Sequence, residues 1–427
     1  MNWQIAIIGA AVLAVAGVSR RLTGTPVTPA MAFVLIGALA GPLIIDGETP
    51  SPTGSFVRTL AEATLTIVLF GDASRIKLDA LKREFSVPLR LLGIGLPLTI
   101  ILGAVLAVLM FNGLNAIEAL VLAIVLAPTD AALGEAVVTE PRLPSRIRQG
   151  LNVESGLNDG ICVPLLLIAL AVAQADENAI TASHAARIVV EEIGYGMLGG
   201  AVAGIATSAI AVIGDHRRLI SDSWLQVVPV GGAILAYGIA VALGGSGFIA
   251  AFVAGVVFGR LAPTASEEAS RFSEELGSLL GGVTFVVFGA VLLGPDLKHL
   301  DWEILLYAIL SLTLIRMLPV AISMIGTRAK LPTLAFLGWF GPRGLASIVF
   351  TVIVVEEARL PGLDTILVTA YMTVGLSVFA HGISASPLAR RYASWYESRT
   401  RESAAMERVP AAEHRARGPR HSPTPLR

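Results

Sequence analysis

Long apolar runs follow one another along this chain from Trp3 to Ala385. A helix needs about 17 to 25 such residues to cross the hydrocarbon core of a bilayer. Thirteen runs approach this length when short and interrupted ones are included, at about 3–18, 29–45, 56–73, 86–111, 116–138, 147–174, 188–213, 224–243, 246–260, 271–294, 302–325, 331–355 and 363–385. The pattern predicts an all-α integral membrane protein with about thirteen transmembrane helices.

The composition supports the same class. Hydrophobic residues make up 54% of the chain and charged residues only 15%, whereas charged residues make up about 25% of an average soluble domain. The single cysteine, Cys162, lies inside an apolar run and is interpreted as a small buried residue. The first run begins at Trp3 without a preceding basic segment, so we expect a retained helix and not a cleaved signal peptide.

The distribution of Lys and Arg gives an orientation. If the N-terminus lies outside, the predicted inward loops contain fifteen basic residues and the outward loops three, as expected when cytoplasmic loops are enriched in Lys and Arg. A missed helix would reverse every later loop and remove this bias. We therefore expect a multi-pass protein of the cell membrane, a bacterial inner membrane, with its C-terminus in the cytoplasm.

The end of the chain has a different composition from the rest. We divide the sequence into a transmembrane domain, 1–393, and a basic cytoplasmic tail, 394–427, which is rich in Ala, Arg, Glu, Pro and Ser. So few large apolar residues predict disorder. We favour a solvated tail, weakly attracted to lipid, over a dedicated regulatory segment.

One stretch places polar groups within apolar runs. It contains Asp130, Glu135, Glu154, Asn158 and Asp159. Each ionisable residue in a membrane-spanning helix costs roughly 2.5 to 3.5 kcal/mol on insertion scales, so such residues indicate a functional site.

The same stretch predicts an interrupted helix. Pro128 lacks an amide proton and its ring clashes with the carbonyl four residues earlier, so we expect the helix to break between Ile124 and Asp130. Half-helix ends and freed carbonyls near the middle of a membrane coordinate small cations in secondary transporters.

The next run supplies further oxygen ligands. Glu154 and Asn158 are four residues apart, as are Ser155 and Asp159, so the two pairs occupy adjoining faces of one helix. Carboxylate, hydroxyl and amide oxygens are suited to hard cations.

A second break is predicted in the twelfth run, where Gly341, Pro342 and Gly344 surround Arg343. The two interrupted runs are seven runs apart, so they should cross the membrane in opposite directions. Interrupted helices in corresponding places of two halves indicate inverted repeats with the site between them. We pair runs two to six with runs nine to thirteen.

Several polar residues have a structural as well as a functional interpretation. We favour ion binding for Asp130 and Asp159, whereas Asn158 fits an ion site and an interhelical hydrogen bond equally well. Glu154 and Arg343 are interpreted as a buried ion pair.

Outside these motifs we favour structural interpretations. Arg316 has the same ion-pair interpretation as Arg343, with a less obvious partner. For Asp72 and Glu62 we favour an interfacial position over a place on the ion path, and for His381 we favour packing over proton relay. Glu135 is a candidate for the inner funnel.

Three motifs occur in a specific order: APTD at 127–130, NVESGLNDG at 152–160 and GPRG at 341–344. Together they resemble the monovalent cation:proton antiporters of the NhaP and sodium/proton exchanger kind. The resemblance implies the thirteen-helix antiporter fold with inverted repeats and two broken crossing helices, a mobile six-helix core, a separate dimerisation domain and homodimers.

The resemblance also implies a set of site residues. The ion site falls on Thr129, Asp130, Ser155 and Asp159, which would bind the monovalent cation or the proton. Asn158 and Asp159 match the signature of the electroneutral branch, which exchanges one cation for one proton. Two further matches are the stabilising pair of Glu154 with Arg343, and Asp72 as the acidic residue from the third helix.

We expect alternating access in which Asp159 binds either a cation or a proton. Sodium is the expected cation, with lithium and potassium possible and a potassium-selective antiporter as the alternative. A cation channel and an intramembrane enzyme are alternatives of other classes; the sequence contains no HExxH motif, which argues against an intramembrane metalloenzyme. The expected partners are cations, protons, membrane lipid and a second copy of the chain, with no cofactor and no nucleic acid.

Overall fold

The computed structural model describes residues 2–22, 25–44, 55–76, 86–130, 132–134, 137, 140–178, 182–357, 359–398 and 406–408. Helices are the regular secondary structure of these ranges, which contain no strand. The main helices are α1 (Asn2–Leu22), α2 (Pro29–Ile44), α3 (Ser55–Ser74), α4 (Ser86–Met110), α5 (Ala116–Val125), α6 (Ser145–Asn178), α7 (Ala182–His216), α8 (Val228–Ala242), α9 (Gly247–Leu261), α10 (Pro263–Val287), α11 (Trp302–Ser323), α12 (Leu331–Trp339), α13 (Leu345–Glu357) and α14 (Leu363–Ser398).

Each predicted apolar run overlaps one of these helices, and the twelfth overlaps two, α12 and α13. Within the described ranges, eight helices are long and apolar enough to cross a membrane, and shorter apolar helices accompany them. The all-helical membrane class is therefore confirmed. The count of thirteen crossings stays a prediction.

The first predicted break is confirmed. Helix α5 begins with a capping box, in which the Asn115 side chain accepts from the backbone of Glu118 and the Glu118 carboxylate accepts from the backbone of Asn115. The helix ends at Val125, and residues 127–130 are not helical. This is the effect expected of Pro128, which offers no amide proton to the preceding turn.

The second predicted break is confirmed as well. Helix α12 has Pro332 in its first turn, where a missing amide proton costs nothing. It ends at Trp339, and α13 begins at Leu345. Residues 340–344, which contain two glycines and a proline, run between them without helical structure.

Small residues allow close packing around α9. A Cβ atom on Gly204 of α7 would lie 2.8 Å from the carbonyl oxygen of Ala254, and Gly255 of α9 meets the backbone of Phe70 in α3. Such contacts let helix backbones approach closely where no water is available to drive association. Helix α9 is thereby fixed between α3 and α7.

Two apolar clusters lie near the two breaks and at one end of the helices. The first combines residues of α5, α6, α13 and α14 around the two breaks, including Cys162, which is buried as predicted. The second cluster joins one end of α4, α6, α11, α12 and α14, and includes Val87, Ile147, Met324, Phe336, Tyr392 and Met406. The loops at this end are those predicted to face the cytoplasm.

The structure differs from the predicted tail at two places. Helix α14 continues through Ser398, beyond the predicted domain end at 393. Residues Met406–Arg408 form a short 3-10 turn, and Met406 is buried in the second cluster. Both differences arise because single apolar residues of the tail pack against the helical domain. Composition alone does not indicate these contacts.

Candidate ion-binding site

The two non-helical segments meet at Asp130. Its backbone N–H donates to the carbonyl oxygen of Pro342 at 2.8 Å. In return, the backbone N–H of Leu345 donates to Oδ2 of Asp130 at 3.1 Å. Leu345 is the first residue of α13, so the Asp130 carboxylate caps this half-helix and faces the positive end of its dipole.

A second amide completes the environment of this carboxylate. The N–H of Ala132 donates to Oδ1 of Asp130 at 2.8 Å, and only 9% of Asp130 is exposed. A Cβ atom on Gly344 would lie 2.7 Å from the Cβ of Asp130. Glycine at 344 is therefore required for the close approach of the two segments.

Thr129 links the first break to α6. Ser155 Oγ donates to the carbonyl oxygen of Thr129 at 2.6 Å. Asn158 Nδ2 donates to Oγ1 of Thr129, also at 2.6 Å. Three of the predicted polar residues are thus joined directly, and Asp130 follows Thr129 in the same segment.

The other predicted carboxylates lie along the same part of α6. Asp159 is four residues beyond Ser155, which places it on the same face one turn later, and it is 7% exposed. Asp72 packs against the intervening Gly156, where a Cβ atom added to the glycine would lie 3.7 Å from the Cβ of Asp72. The contact places the carboxylate-bearing side chain of α3 beside the ion-site helix.

The predicted pairing of Glu154 with Arg343 is wrong. Glu154 is paired with Arg316, whose Nη1 and Nη2 contact the two carboxylate oxygens at 2.5 and 2.8 Å. Both residues are buried. This bidentate geometry uses both oxygens of Glu154. Gly341 packs directly on the Arg316 guanidinium, so Arg316 of α11 occupies the position assigned to Arg343.

Arg343 is instead held by α14 and by its own segment. Its backbone N–H donates to Oγ of Ser377 at 2.7 Å and its Nη1 donates to the carbonyl oxygen of Gly341 at 2.9 Å. The side chain is fully buried, and among the described residues Nε and Nη2 have no hydrogen-bond partner. A buried guanidinium with so few acceptors is costly.

His381 supports the second break, which confirms the predicted packing role. Its Nε2 lies 2.9 Å from the carbonyl oxygen of Trp339, and its Nδ1 lies 3.0 Å from that of Ser377. The imidazole stacks on the Trp339 ring at 5.0 Å. Helix α14 thereby fixes both the end of α12 and, through Ser377, the backbone at Arg343.

The remaining candidates lie elsewhere. Glu62 pairs with Arg58 at 2.9 Å, and Arg58 also contacts Glu356 at 3.2 Å. Ten residues of helix separate Glu62 from Asp72, a distance of about 15 Å, so Glu62 is not part of the site. Glu135 lies outside the described residues.

Sequence analysis missed two features of the site. It considered Arg316 without identifying a partner, although a lone arginine in an apolar run is the same signal that drew attention to Arg343. It also gave no function to Ser377, because a single hydroxyl in a long apolar helix resembles many others.

Comparisons with known proteins agree with this geometry. A family model described as the transmembrane sodium/hydrogen exchanger matches residues 7–391. The K(+)/H(+) antiporter NhaP of Alkalimonas amylolytica is 26% identical over 395 residues, covering 91% of this chain and 67% of that protein. The K(+)/H(+) antiporter NhaP2 of Shewanella sp. (strain MR-4) is 24% identical over 398 residues, covering 90% and 66%. The chain thus spans about two thirds the length of these relatives.

A solved structure shares the fold. The sodium proton antiporter MjNhaP1 from Methanocaldococcus jannaschii at pH 8 superimposes with a TM-score of 0.73 at 19% identity, covering 89% of this chain and 99% of that one. Similarity over nearly the whole of both chains confirms the antiporter fold expected from the motifs.

Proposed function

The chain belongs to the sodium/hydrogen exchanger transmembrane family, and from that premise we propose that it exchanges a monovalent cation for a proton across a membrane. The observation that carries the proposal is the meeting of two interrupted helices at Asp130, with the oxygen atoms of Thr129 and Ser155 beside it. Oxygen donors at such a crossing suit a small hard cation. The family is one of exchangers and not of enzymes.

Asp130 and Asp159 have different roles in the proposed mechanism. Two backbone amides, one of them at the N-terminus of α13, hold the Asp130 carboxylate in place, so Asp130 serves as a fixed ligand. Asp159 is the group that binds either the cation or the proton. Asp159 is buried on the same face of α6 as Ser155, where either a cation or a proton would neutralise its charge.

Exchange follows from the cost of moving an unpaired charge. When Asp159 is neutralised by a cation or a proton, the core bundle carries the site across the membrane. When Asp159 is ionised and empty, crossing is penalised, because charged side chains are expensive in the bilayer interior. Thr129 and Ser155 complete the ligand set and Asn158 holds Thr129 in place.

We propose sodium as the transported cation. The proposal rests on the expectation from the motifs, whereas the names of the relatives, K(+)/H(+) antiporters, favour a potassium-selective exchanger. In proteoliposomes, addition of sodium, lithium and potassium in turn should show which cation drives proton movement. Cation flux that continues without coupled proton movement would show a channel instead.

The decisive variant is Asp159→Asn. It retains the shape of the side chain but cannot exchange a proton for a cation, so cation-driven proton movement should fall to the level of empty vesicles. Asp215→Asn, at an exposed position near the end of α7, is the matched control and should transport normally. Full activity of Asp159→Asn with an unchanged melting temperature would refute the central role of Asp159.

We further propose that exchange is electroneutral, because Asn158 takes the place of a second titrating carboxylate. One cation and one proton then alternate at Asp159 and no net charge moves. Moving one elementary charge across a membrane potential of 100 mV changes its free energy by about 2.3 kcal/mol. Proton flux driven by sodium should therefore not change when a potassium diffusion potential is imposed with valinomycin.

For assembly and location, we propose a homodimer in the lipid of the cell membrane, a bacterial inner membrane, with the N-terminus outside and the C-terminus in the cytoplasm. The charge bias of the loops supports the orientation. Labelling of single cysteines placed in opposite loops tests the orientation, and stepwise photobleaching in liposomes tests the number of chains.

A further inference from the structure

A short turn of the tail is packed against the helical domain. In the turn Met406–Arg408, only 3% of Glu407 and 6% of Met406 are exposed. Met406 belongs to the second cluster, together with Val87 of α4, Ile147 of α6 and Phe336 of α12. An acidic side chain is almost never this buried unless it has specific partners.

Those partners lie at the start of α12. Oε1 of Glu407 accepts from the backbone N–H of Lys330 at 3.0 Å and from Oγ1 of Thr333 at 2.6 Å. Lys330 is the residue that precedes α12. Glu407 thus satisfies an amide at the helix N-terminus and places a negative charge at the positive end of its dipole, although it comes from a distant part of the chain.

The surrounding side chains form a binding surface for the turn. The hydroxyl of Tyr392 lies 2.9 Å from Oγ1 of Thr333, and the Tyr392 ring stacks on Phe336 at 4.3 Å. On the other side, Nη1 of Arg146 donates to the carbonyl oxygen of Met406 at 3.3 Å. Arg146 is in the first turn of α6, the helix that bears Ser155 and Asp159.

Helix α12 connects this contact to the ion site. The helix has nine residues, so its ends are about 13 Å apart. Its far end leads into residues 340–344, which place the Pro342 carbonyl oxygen against the Asp130 amide. At that end the helix is held through Trp339. Its near end is held by Glu407.

We propose that the cytoplasmic tail carries a docking element, Met406–Arg408, that binds the chain's own helical domain and positions α12. Glu407 is a positioning residue for the cation site. The docked turn stabilises the geometry in which residues 340–344 meet Asp130, and release of the turn loosens that geometry. The effect on transport rests on the proposed exchange function, but the docking itself does not.

The test uses the full-length protein with Glu407→Ala and a matched control, Glu402→Ala, which removes the same charge from the tail. In hydrogen–deuterium exchange, Glu407→Ala should increase exchange of residues 331–345 about tenfold, as expected for loss of a hydrogen bond to a charged group. The control should match the parent. This measurement does not require transport, so it separates failure of the docking proposal from failure of the exchange proposal.

Two further variants distinguish positioning from general stability. Glu407→Gln retains an acceptor oxygen and should restore most of the protection from hydrogen exchange. Thr333→Val should resemble Glu407→Ala. The double variant Thr333→Val with Glu407→Ala should exchange no faster than either single variant. In proteoliposomes, Glu407→Ala should raise the apparent KM for the cation several-fold relative to the control. Unchanged exchange of 331–345 would overturn the proposal, as would a lowered melting temperature with an unchanged KM.

Discussion

At the first interruption the chain presents Thr129 and Asp130 to the centre of the helical domain, and at the second it presents Arg343 between Gly341 and Gly344. Both interruptions follow from a proline, and each end is held by hydrogen bonds from the opposite segment. Their side chains differ in charge. In the proposed exchange site the acidic break provides ligands, whereas the basic break provides backbone groups and the buried guanidinium of Arg343.

The two arginines near the breaks show the same contrast on a smaller scale. Arg316 shares a bidentate ion pair with Glu154, whereas the described partners of Arg343 are carbonyl and hydroxyl oxygens. A buried charge that lowers stability is typically retained for function. We therefore expect substitution of Arg316 to affect mainly stability and substitution of Arg343 to affect mainly exchange.

The largest expected effect on exchange is the difference between a substitution at the first break and one at the second. Asp130→Asn removes the charge that both backbone amides and the cation require, so cation-driven proton movement should fall to background. Arg343→Gln keeps a hydrogen-bond donor for the Gly341 carbonyl and should retain measurable exchange with altered kinetics. Flux in proteoliposomes at matched protein content makes the comparison. Equal loss in both variants would show that the two breaks do not differ in function.

A second comparison concerns stability. Arg316→Ala leaves Glu154 buried without its partner, at a cost of about 3 to 5 kcal/mol in soluble proteins. Arg343→Met removes a buried charge whose side-chain hydrogen bond, among the described residues, goes to the Gly341 carbonyl oxygen, so the melting temperature in detergent should be unchanged or higher. The double variant Glu154→Gln with Arg316→Gln should recover part of the loss. If Arg343→Met melts below Arg316→Ala, the assignment of the ion pair is wrong.

The backbone breaks were predictable from the sequence because their cause is local. Pro128 and the Gly341 to Gly344 segment act on their own turns of helix, whatever lies around them. The set of oxygen ligands was predictable for a related reason, since polar residues stand out against an apolar background. These signals require no knowledge of how distant helices pack.

The partner of Glu154 was not predictable in this way. Arg316 and Arg343 are both lone arginines in apolar runs, and the choice between them depends on which helix packs beside α6. Gly341 packs directly on the Arg316 guanidinium, so a larger residue there would displace Arg316. The docking of Glu407 depends in the same way on contacts between residues more than seventy positions apart.

Alanine substitution of the two glycines of the second break should have a smaller effect on stability and exchange. Gly344→Ala places a methyl group against the Asp130 side chain, which is held by two amides, whereas Gly341→Ala meets the longer side chain of Arg316. Overpacking costs about 1 to 3 kcal/mol. We therefore expect Gly344→Ala to reduce both melting temperature and exchange more than Gly341→Ala does.

Gly238→Ala is the matched control for these two variants. Its added methyl group has no neighbour within 4 Å, and alanine is a better helix former than glycine by up to about 1 kcal/mol. The melting temperature of this variant should stay the same or rise. If Gly344→Ala behaves like Gly238→Ala, residues 340–344 have more room beside Asp130 than the structure shows.

The smallest expected effect concerns Asn158, whose side-chain amide reaches the first break from α6. Asn158→Ala removes the donor to Thr129 Oγ1, and Thr129→Val removes the acceptor. Interhelical hydrogen bonds in membranes average about 0.6 kcal/mol and reach about 1.7 kcal/mol. If the bond only joins helices, Asn158→Ala should lose this much stability and keep the cation KM. If Asn158 orients Thr129 as a ligand, both single variants should raise the KM, and the double variant should raise it no further. Independent, additive effects on KM would show that Asn158 contacts the cation itself and does not act through Thr129.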